Sequence, residues 1–240
     1  MNRVKLEICA FSLEAAKLAE KAGADRIELC SNPAEGGTTP HYGLIEMAAN
    51  QLNIPVYPII RPRGGDFTYS DEEFEMMKRD IEKCKELGCK GVATGILTAD
   101  NRVDVERMRI LTKLAFPLGV TFIRAFDLTP DASEALEMVI DAGCERILTS
   151  GQTEKAVEAV EIIKALTQQA GERIIVMPGS GVRANNIAHI IENTGVKEIH
   201  ASARVLVPNK QQRVTELGFG QPVSCNAEEV AEMSRIINNC

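Results

Sequence analysis

Short apolar runs rich in β-branched residues alternate along the chain with longer stretches whose apolar residues recur at helical spacing. The short runs predict strands and the longer stretches predict helices, so that a strand-then-helix unit repeats eight times. The predicted strands lie near Val4–Ile8, Arg26–Leu29, Pro55–Ile60, Gly91–Thr94, Gly119–Phe122, Arg146–Leu148, Arg173–Met177 and Lys197–His200. The predicted helices include Leu13–Lys21, Asp71–Leu87, Val105–Leu114, Asp131–Asp141, Glu154–Thr167, Ala184–Glu192 and Ala227–Ile237.

The ends of several predicted helices carry capping signals. The residues expected at helix N-caps, where a side-chain oxygen can accept from a free backbone amide, are Ser12, Asp71 and Asp131. Four helices end on a glycine that a strand follows at once, namely Gly23, Gly88, Gly143 and Gly195. A helix-to-strand turn that recurs in this way supports the repeating unit.

Eight such units predict a TIM barrel, the (β/α)8 fold, because parallel strands need helical crossovers and eight strands close a sheet without free edges. An open doubly wound sheet is the alternative, but strand 1 leads into Cys9–Ser12 without the glycine-rich loop that binds dinucleotides. The chain contains no proline-rich or low-complexity linker. We therefore expect one domain over residues 1–240, with the functional site at the C-terminal mouth of the barrel.

Composition narrows the functional class. The 240 residues are 45% hydrophobic and 25% charged, as in an ordinary globular protein. A net charge of −7 argues against a nucleic-acid partner, and no apolar run approaches the roughly 18 residues that span a bilayer. Seven scattered cysteines, an odd number, do not suggest a disulfide framework. These features favour a cytosolic protein that binds neither nucleic acid nor membrane, and they leave a homo-oligomer open.

Polar residues concentrate where the predicted strands end, at the barrel mouth. Side chains suited to acid–base chemistry or to neutralising a carboxylate or phosphate are Glu28, Arg61, Arg124, Asp127 and His200. They suggest an enzyme of undetermined reaction that acts on a small anionic molecule. An internal salt-bridge network is the alternative for some of these charges, because Lys5, Glu7, Arg26 and Glu28 share strand parity. A purely structural scaffold is a third possibility.

Small residues follow strands 6, 7 and 8, where barrels often bind a phosphate or carboxylate at helix N-termini. The residues expected to form this anion site are Ser150, Gly151, Gly179, Ser180, Gly181 and Arg204. The alternative is a set of tight turns whose amides bond within the protein. Arg61 and Arg124 are expected to face the same sector of the mouth and to hold a second acidic group.

Several of these segments carry a resemblance to a known family. They are Glu7-Ile8-Cys9, Gly23–Cys30, Glu35-Gly36-Gly37-Thr38-Thr39-Pro40, Ile60–Phe67, Arg124-Ala125-Phe126-Asp127 and Leu148–Gly151. They resemble the CutC family, which is named for copper homeostasis, and the match extends over nearly the whole chain. The block Arg61-Pro62-Arg63-Gly64-Gly65-Asp66-Phe67 is long and distinctive. Two positions depart from the family pattern: Ile123 stands where a histidine is usual, and His41 where a serine is more frequent.

The resemblance implies a cytosolic TIM barrel that handles copper, with Cys9 and Cys30 as Cu(I) ligands. Thiolates are soft ligands suited to Cu(I), and each cysteine stands two residues after a glutamate at the end of neighbouring strands. Two buried thiols that only fill space are the alternative, since free cysteine is among the most buried residue types. The expected ligand is therefore a metal ion or a small anion.

Overall fold

The structure is a computed structural model that describes residues 3–240. Eight strands form the barrel, and their bounds follow the apolar runs of the sequence closely. They are β1 (Lys5–Ala10), β2 (Arg26–Leu29), β3 (Val56–Pro58), β4 (Gly91–Thr94), β5 (Gly119–Phe122), β6 (Arg146–Thr149), β7 (Ile175–Pro178) and β8 (Glu198–Ala201). The predicted fold class, a TIM barrel, is confirmed.

Parallel pairing orders the strands around the barrel. One sheet has the order β3-β2-β1-β8 and the other has the order β4-β5-β6-β7. A parallel bridge between Ile59 and Ala93 joins β3 to β4, and β7 lies beside β8 at the closing seam. Because all eight strands run in the same direction, their C-terminal ends meet at one mouth.

Amphipathic helices surround the strands and bury their apolar faces against them. The nine helices within residues 3–240 are α1 (Leu13–Lys21), α2 (Tyr42–Gln51), α3 (Asp71–Glu86), α4 (Val105–Ala115), α5 (Ala132–Asp141), α6 (Val160–Ala170), α7 (Ile187–Thr194), α8 (Gln212–Glu216) and α9 (Ala227–Ile237). Across this part of the chain, no helix combines the length and the apolar character that crossing a membrane requires.

The capping predictions are confirmed at two helices and wrong at the third. Ser12 accepts from the Ala15 amide at the start of α1, and Asp131 caps α5. Helix α3 is capped by Ser70, not by Asp71, because Ser70 and Glu73 form a reciprocal capping box. Asp71 is the first helical residue, where its negative charge suits the helix dipole.

Two regions differ from the sequence expectation. The helix predicted over Glu154–Thr167 begins as a short 3-10 helix, Ala156–Ala159, and becomes α-helical only at Val160. Between β8 and α9 the chain forms an excursion that the sequence pattern does not predict. It contains α8 and a two-stranded antiparallel hairpin of β9 (Arg204–Leu206) and β10 (Val223–Cys225). We call residues 204–225 the arm.

Candidate functional site

Two thiols and a carboxylate meet inside the mouth of the barrel. Strands β1 and β2 run side by side with Cys9 opposite Glu28, and alternation along each strand turns Cys9, Glu28 and Cys30 inward. The Cys9 thiol donates to the Cys30 sulfur at 3.6 Å, and the Cys30 thiol donates to Oε2 of Glu28, also at 3.6 Å. Ligand atoms of all three residues lie within 4.8 Å of one another. These three residues form the thiol cluster.

Both thiols of the cluster hold their protons at neutral pH. Burial raises the pKa of Cys30 well above its ordinary value, and the neighbouring Cys9 thiol and Glu28 charge raise it further. The hydrogen bond with Cys30 lowers the pKa of Cys9, but burial and the Glu28 charge outweigh it, and the pKa of Cys9 is raised overall. A metal ion would therefore have to displace protons from the thiols in order to bind.

Burial also raises the pKa of Glu28, an effect that the neighbouring His200 offsets only in part. A carboxyl group with a raised pKa and a thiol at 3.6 Å can take up a proton as that thiol ionises. The thiol cluster thus combines two soft sulfur ligands with a nearby proton acceptor.

His200 lies next to the thiol cluster, between two carboxylates. Its Nδ1 lies 2.7 Å from Oε1 of Glu7, and its Nε2 lies 3.9 Å from Oε2 of Glu28. Burial lowers the pKa of His200, but the Glu7 hydrogen bond and the charges of both glutamates raise it more, so that its pKa is raised overall. The expected acid–base residues Glu28 and His200 are thus brought together.

A layer of buried charges lies beneath this histidine, toward the N-terminal ends of the strands. Arg26 pairs with Glu7, and its Nη2 donates to Glu198 at 2.6 Å. Arg146 on β6 reaches the same Glu198 carboxylate past the intervening strand β7, at 2.8 Å. Burial raises the pKa of Glu7, but Arg26 and His200 more than compensate, and its pKa falls well below the usual range.

The internal network expected from strand parity therefore exists, with a different membership. Glu7 and Arg26 pair as predicted, whereas Lys5 is exposed at the start of β1 and takes no part. Arg146 and Glu198 complete the network, and the sequence analysis did not identify them. Their positions gave a usable signal, because each is a charged residue at the first position of a short apolar strand, as Arg26 is.

Arg61 is buried away from the charged layer. Its Nη1 donates to the carbonyl of Gly37 at 2.9 Å, and its Nη2 donates to the carbonyl of Gly65 at 2.6 Å. Its guanidinium stacks on the Phe67 ring, 4.6 Å from the centroid. The structure thus gives this predicted anion-binding arginine a role in holding loops.

Arg124 and Asp127 form a third group, on the 3-10 helix Arg124–Leu128. Arg124 Nε donates to Asp127 at 2.8 Å, and Arg124 Nη2 donates to the Ser150 hydroxyl at 2.9 Å. Asp127 also accepts from the backbone amides of Ser150 and Gln152. These contacts tie the end of β5 to the end of β6, and the five expected catalytic residues fall into three separate sets.

The expected anion-binding residues have partners within the protein. The Ser150 amide donates to Asp127, the Gly151 amide to the Thr149 hydroxyl, and the Gly179 amide to the Thr149 carbonyl. Helix α6 begins at Val160, beyond Ser150 and Gly151, and helix α7 begins at Ile187, beyond Gly179, so these residues do not form the helix N-termini.

The other members of the expected anion site also lie apart from an open helix end. Ser180 and Gly181 adopt positive φ angles of 75° and 68° in the turn that follows β7. Arg204 belongs to the exposed strand β9 and donates to the carbonyl of Pro33 at 3.3 Å. Anion binding at this sector stays a prediction.

The chain has three histidines, and only His200 lies among the buried charges. His41 caps helix α2, and His189 contacts Asn193 on helix α7. At the position where the resembled family usually has histidine, Ile123 is buried and packs near Gly95. Among residues 3–240, His200 is therefore the histidine that lies beside the thiol cluster.

Comparison with known proteins gives consistent similarities. The family model described as the CutC family matches residues 4–205. A CutC family protein of Chromobacterium violaceum is 54% identical over 199 residues, covering 83% of this chain and 81% of that protein. One from Salmonella heidelberg is 46% identical over 242 residues, covering 97% and 96%. A Streptococcus agalactiae structure described as a copper homeostasis protein CutC has a TM-score of 0.80 at 39% identity, covering 83% of this chain and 98% of that one.

Proposed function

Since the chain belongs to the CutC family, we propose that it handles copper by binding Cu(I) through the thiolates of Cys9 and Cys30. The observation that carries the proposal is the 3.6 Å separation of the two sulfur atoms inside the barrel mouth. A relative from Streptococcus agalactiae is described as a copper homeostasis protein, which supports copper as the metal. The role of this chain is then to hold or transfer Cu(I).

The chemistry of the thiol cluster favours Cu(I) over harder metal ions. Two thiolates are soft ligands, and Cu(I) is the soft ion that such ligands select. Glu28 is a hard ligand, and it acts here as the acceptor of the proton that leaves Cys30. His200, whose pKa Glu7 and Glu28 raise, lies beside the carboxylate of this cluster.

The proposal includes a reducing, cytosolic location. All seven cysteines are free thiols, and six of them are buried. Disulfides persist mainly in oxidising compartments, whereas reduced thiols and Cu(I) are compatible with the cytosol. Free thiols at Cys9 and Cys30 are the state that a thiolate site needs.

A competition titration with a Cu(I) chelator under reducing conditions tests the proposal. Cys9→Ala/Cys30→Ala should lose more Cu(I) affinity than the about 10- to 100-fold that removal of an outer-shell partner costs. The matched control is Cys144→Ala/Cys225→Ala, which also removes two buried thiols. The control should bind as the natural protein does. Equal Cu(I) affinity in the natural protein and in the Cys9/Cys30 variant would refute the proposal.

A further inference from the structure

The two thiols of the proposed copper site differ in exposure. Cys9 keeps 8% of its surface exposed, whereas Cys30 keeps none. The backbone of Gly37 lies against the Cys30 side chain. A Cβ added at Gly37 would lie 3.2 Å from Sγ of Cys30, and Gly37 also has a φ of +102° that disfavours other residues. The backbone at Gly37 therefore covers Cys30.

Gly37 belongs to a closed loop after β2, residues 31–38, which we call the covering loop. Ser31 and Thr38 exchange both backbone hydrogen bonds, each at 2.9 Å, and so close the base of the loop. The Asn32 side chain donates to the Thr38 hydroxyl at 2.8 Å. These hydrogen bonds close the covering loop on itself, and its residue Gly37 lies against Cys30.

Arg61 fastens the covering loop from the neighbouring strand. Its Nη1 donates to the carbonyls of Glu35 and Gly37, and its Nη2 donates to the Gly65 carbonyl in the loop after β3. One side chain thus joins the two glycine-containing loops at the mouth. Through its hydrogen bond to the Gly37 carbonyl, Arg61 holds the residue that lies against Cys30.

The partners of Arg61 are unusual for a buried cation. Arg61 is only 5% exposed, yet no carboxylate among residues 3–240 lies within ion-pair distance of it, and its Nε has no hydrogen-bond partner. A buried charge costs free energy unless polar groups compensate it. Here loop carbonyls supply the hydrogen bonds, so the burial of Arg61 and the closure of the covering loop depend on each other.

We propose that Arg61 is a positioning residue that clamps the covering loop on Cys30 and so orders access to the two thiols. A thiol reagent or a metal carrier meets Cys9 first and reaches Cys30 only when the loop lifts. For copper this inference rests on the proposed function. The difference in thiol access does not, because it follows from the covering loop alone.

Alkylation by N-ethylmaleimide under native conditions, followed by peptide mass spectrometry, measures this access. In the natural protein Cys9 should react faster than Cys30. Arg61→Met should speed the reaction of Cys30 by about tenfold or more, the effect expected from losing charge-assisted hydrogen bonds. The same rate measured in a Cys9→Ala background removes any influence of prior modification at Cys9.

Two controls separate loop opening from unfolding. Arg63→Met changes the next arginine of the same segment, whose side chain pairs with Asp66 and Glu73, and it should leave the Cys30 rate unchanged. Cys144, buried at the opposite end of the barrel, should keep its slow rate in every variant.

An unchanged Cys30 rate in Arg61→Met would overturn the clamp, as would a rise shared equally by Cys144. Faster reaction of Cys30 than Cys9 in the natural protein would do the same. If Cu(I) fails to bind but Arg61→Met still exposes Cys30, the clamp stands and only the copper proposal falls.

Discussion

His200 shows how single residues inside the barrel determine each other's protonation. Its imidazole lies 2.7 Å from Glu7, and the net effect of its surroundings raises its pKa above the ordinary value of 6.5. The folded protein therefore binds this proton more tightly than the unfolded chain. The resulting stability is fully present below about pH 6.5 and is lost as pH rises through the raised folded pKa.

The matching prediction concerns His200→Gln, which retains a polar side chain but cannot titrate. Between about pH 6 and about pH 8.5, the natural protein should lose more free energy of unfolding than this variant does. Urea denaturation at the two pH values measures both differences. An equal loss in the two proteins would show that His200 does not bind its proton more tightly in the fold.

Residue-level reasoning from the sequence reached part of the site. Strand parity offered an internal network with Glu7 and Arg26 as one alternative, and the paired Glu-x-Cys strand ends suggested that Cys9 and Cys30 could converge; the structure contains both contacts. The contact between Arg146 and Glu198 was harder to predict, because it joins two strands that do not pair, β6 and β8, and depends on the tilt and stagger of the barrel. The position of Gly37 over Cys30 depends on a loop path that no periodicity encodes.

At the scale of elements, the starts of β4 and β5 are shaped around the Tyr57 ring of β3. Gly91 and Gly119 are register partners, and a Cβ at Gly91 would lie 2.1 Å from Cε1 of Tyr57. The guanidinium groups of Arg26 and Arg146 lie 5.1 and 5.4 Å from the ring centroid. The two glycines thus admit an aromatic ring that supports the buried arginines.

Gly91→Ala should destabilise the protein by about 1–3 kcal/mol, because the added methyl overpacks the ring. In a Tyr57→Leu background the same substitution should cost less, since the smaller side chain leaves room. Urea denaturation of the four proteins of this double-mutant cycle gives the coupling. If the cost of Gly91→Ala is the same in both backgrounds, the ring is not what excludes a side chain at position 91.

The elements themselves were largely predictable, and the arm was not. Each barrel strand coincides with a short, largely apolar run, and glycines such as Gly88 and Gly143 end the preceding helices with positive φ. These are local signals that the fold reinforces. Strands β9 and β10 pair only with each other and have three residues each. Such short segments show no periodicity from which the sequence could identify them.

At the scale of the whole molecule, the arm carries an exposed apolar surface. Leu206, Leu217 and Phe219 are 62%, 57% and 77% exposed. Residues 204–225 contain three basic side chains and one acidic side chain, whereas the whole chain has a net charge of −7. A basic, apolar arm is complementary to the acidic remainder of a second copy of this chain.

We therefore expect a homo-oligomer in which the arm of one copy lies against another copy. Leu206→Ser/Phe219→Ser should shift the protein toward monomer in sedimentation equilibrium. Phe116→Ser removes an equally exposed phenylalanine, 75% exposed, far from the arm in sequence and should leave the mass unchanged. A natural protein that stays monomeric as concentration rises would contradict this expectation.

The two-thiolate site can be observed on the metal itself by X-ray absorption at the copper edge of Cu(I)-loaded protein. The spectrum should show a first shell of two sulfur atoms, supplied by Cys9 and Cys30, because Cu(I) takes soft ligands at low coordination number. Cys9→Ala/Cys30→Ala, loaded in the same way, should lose that shell, and Cys144→Ala/Cys225→Ala should keep it. A first shell of nitrogen and oxygen alone in the natural protein, or a sulfur shell that survives in the Cys9/Cys30 variant, would contradict a copper site at these thiols.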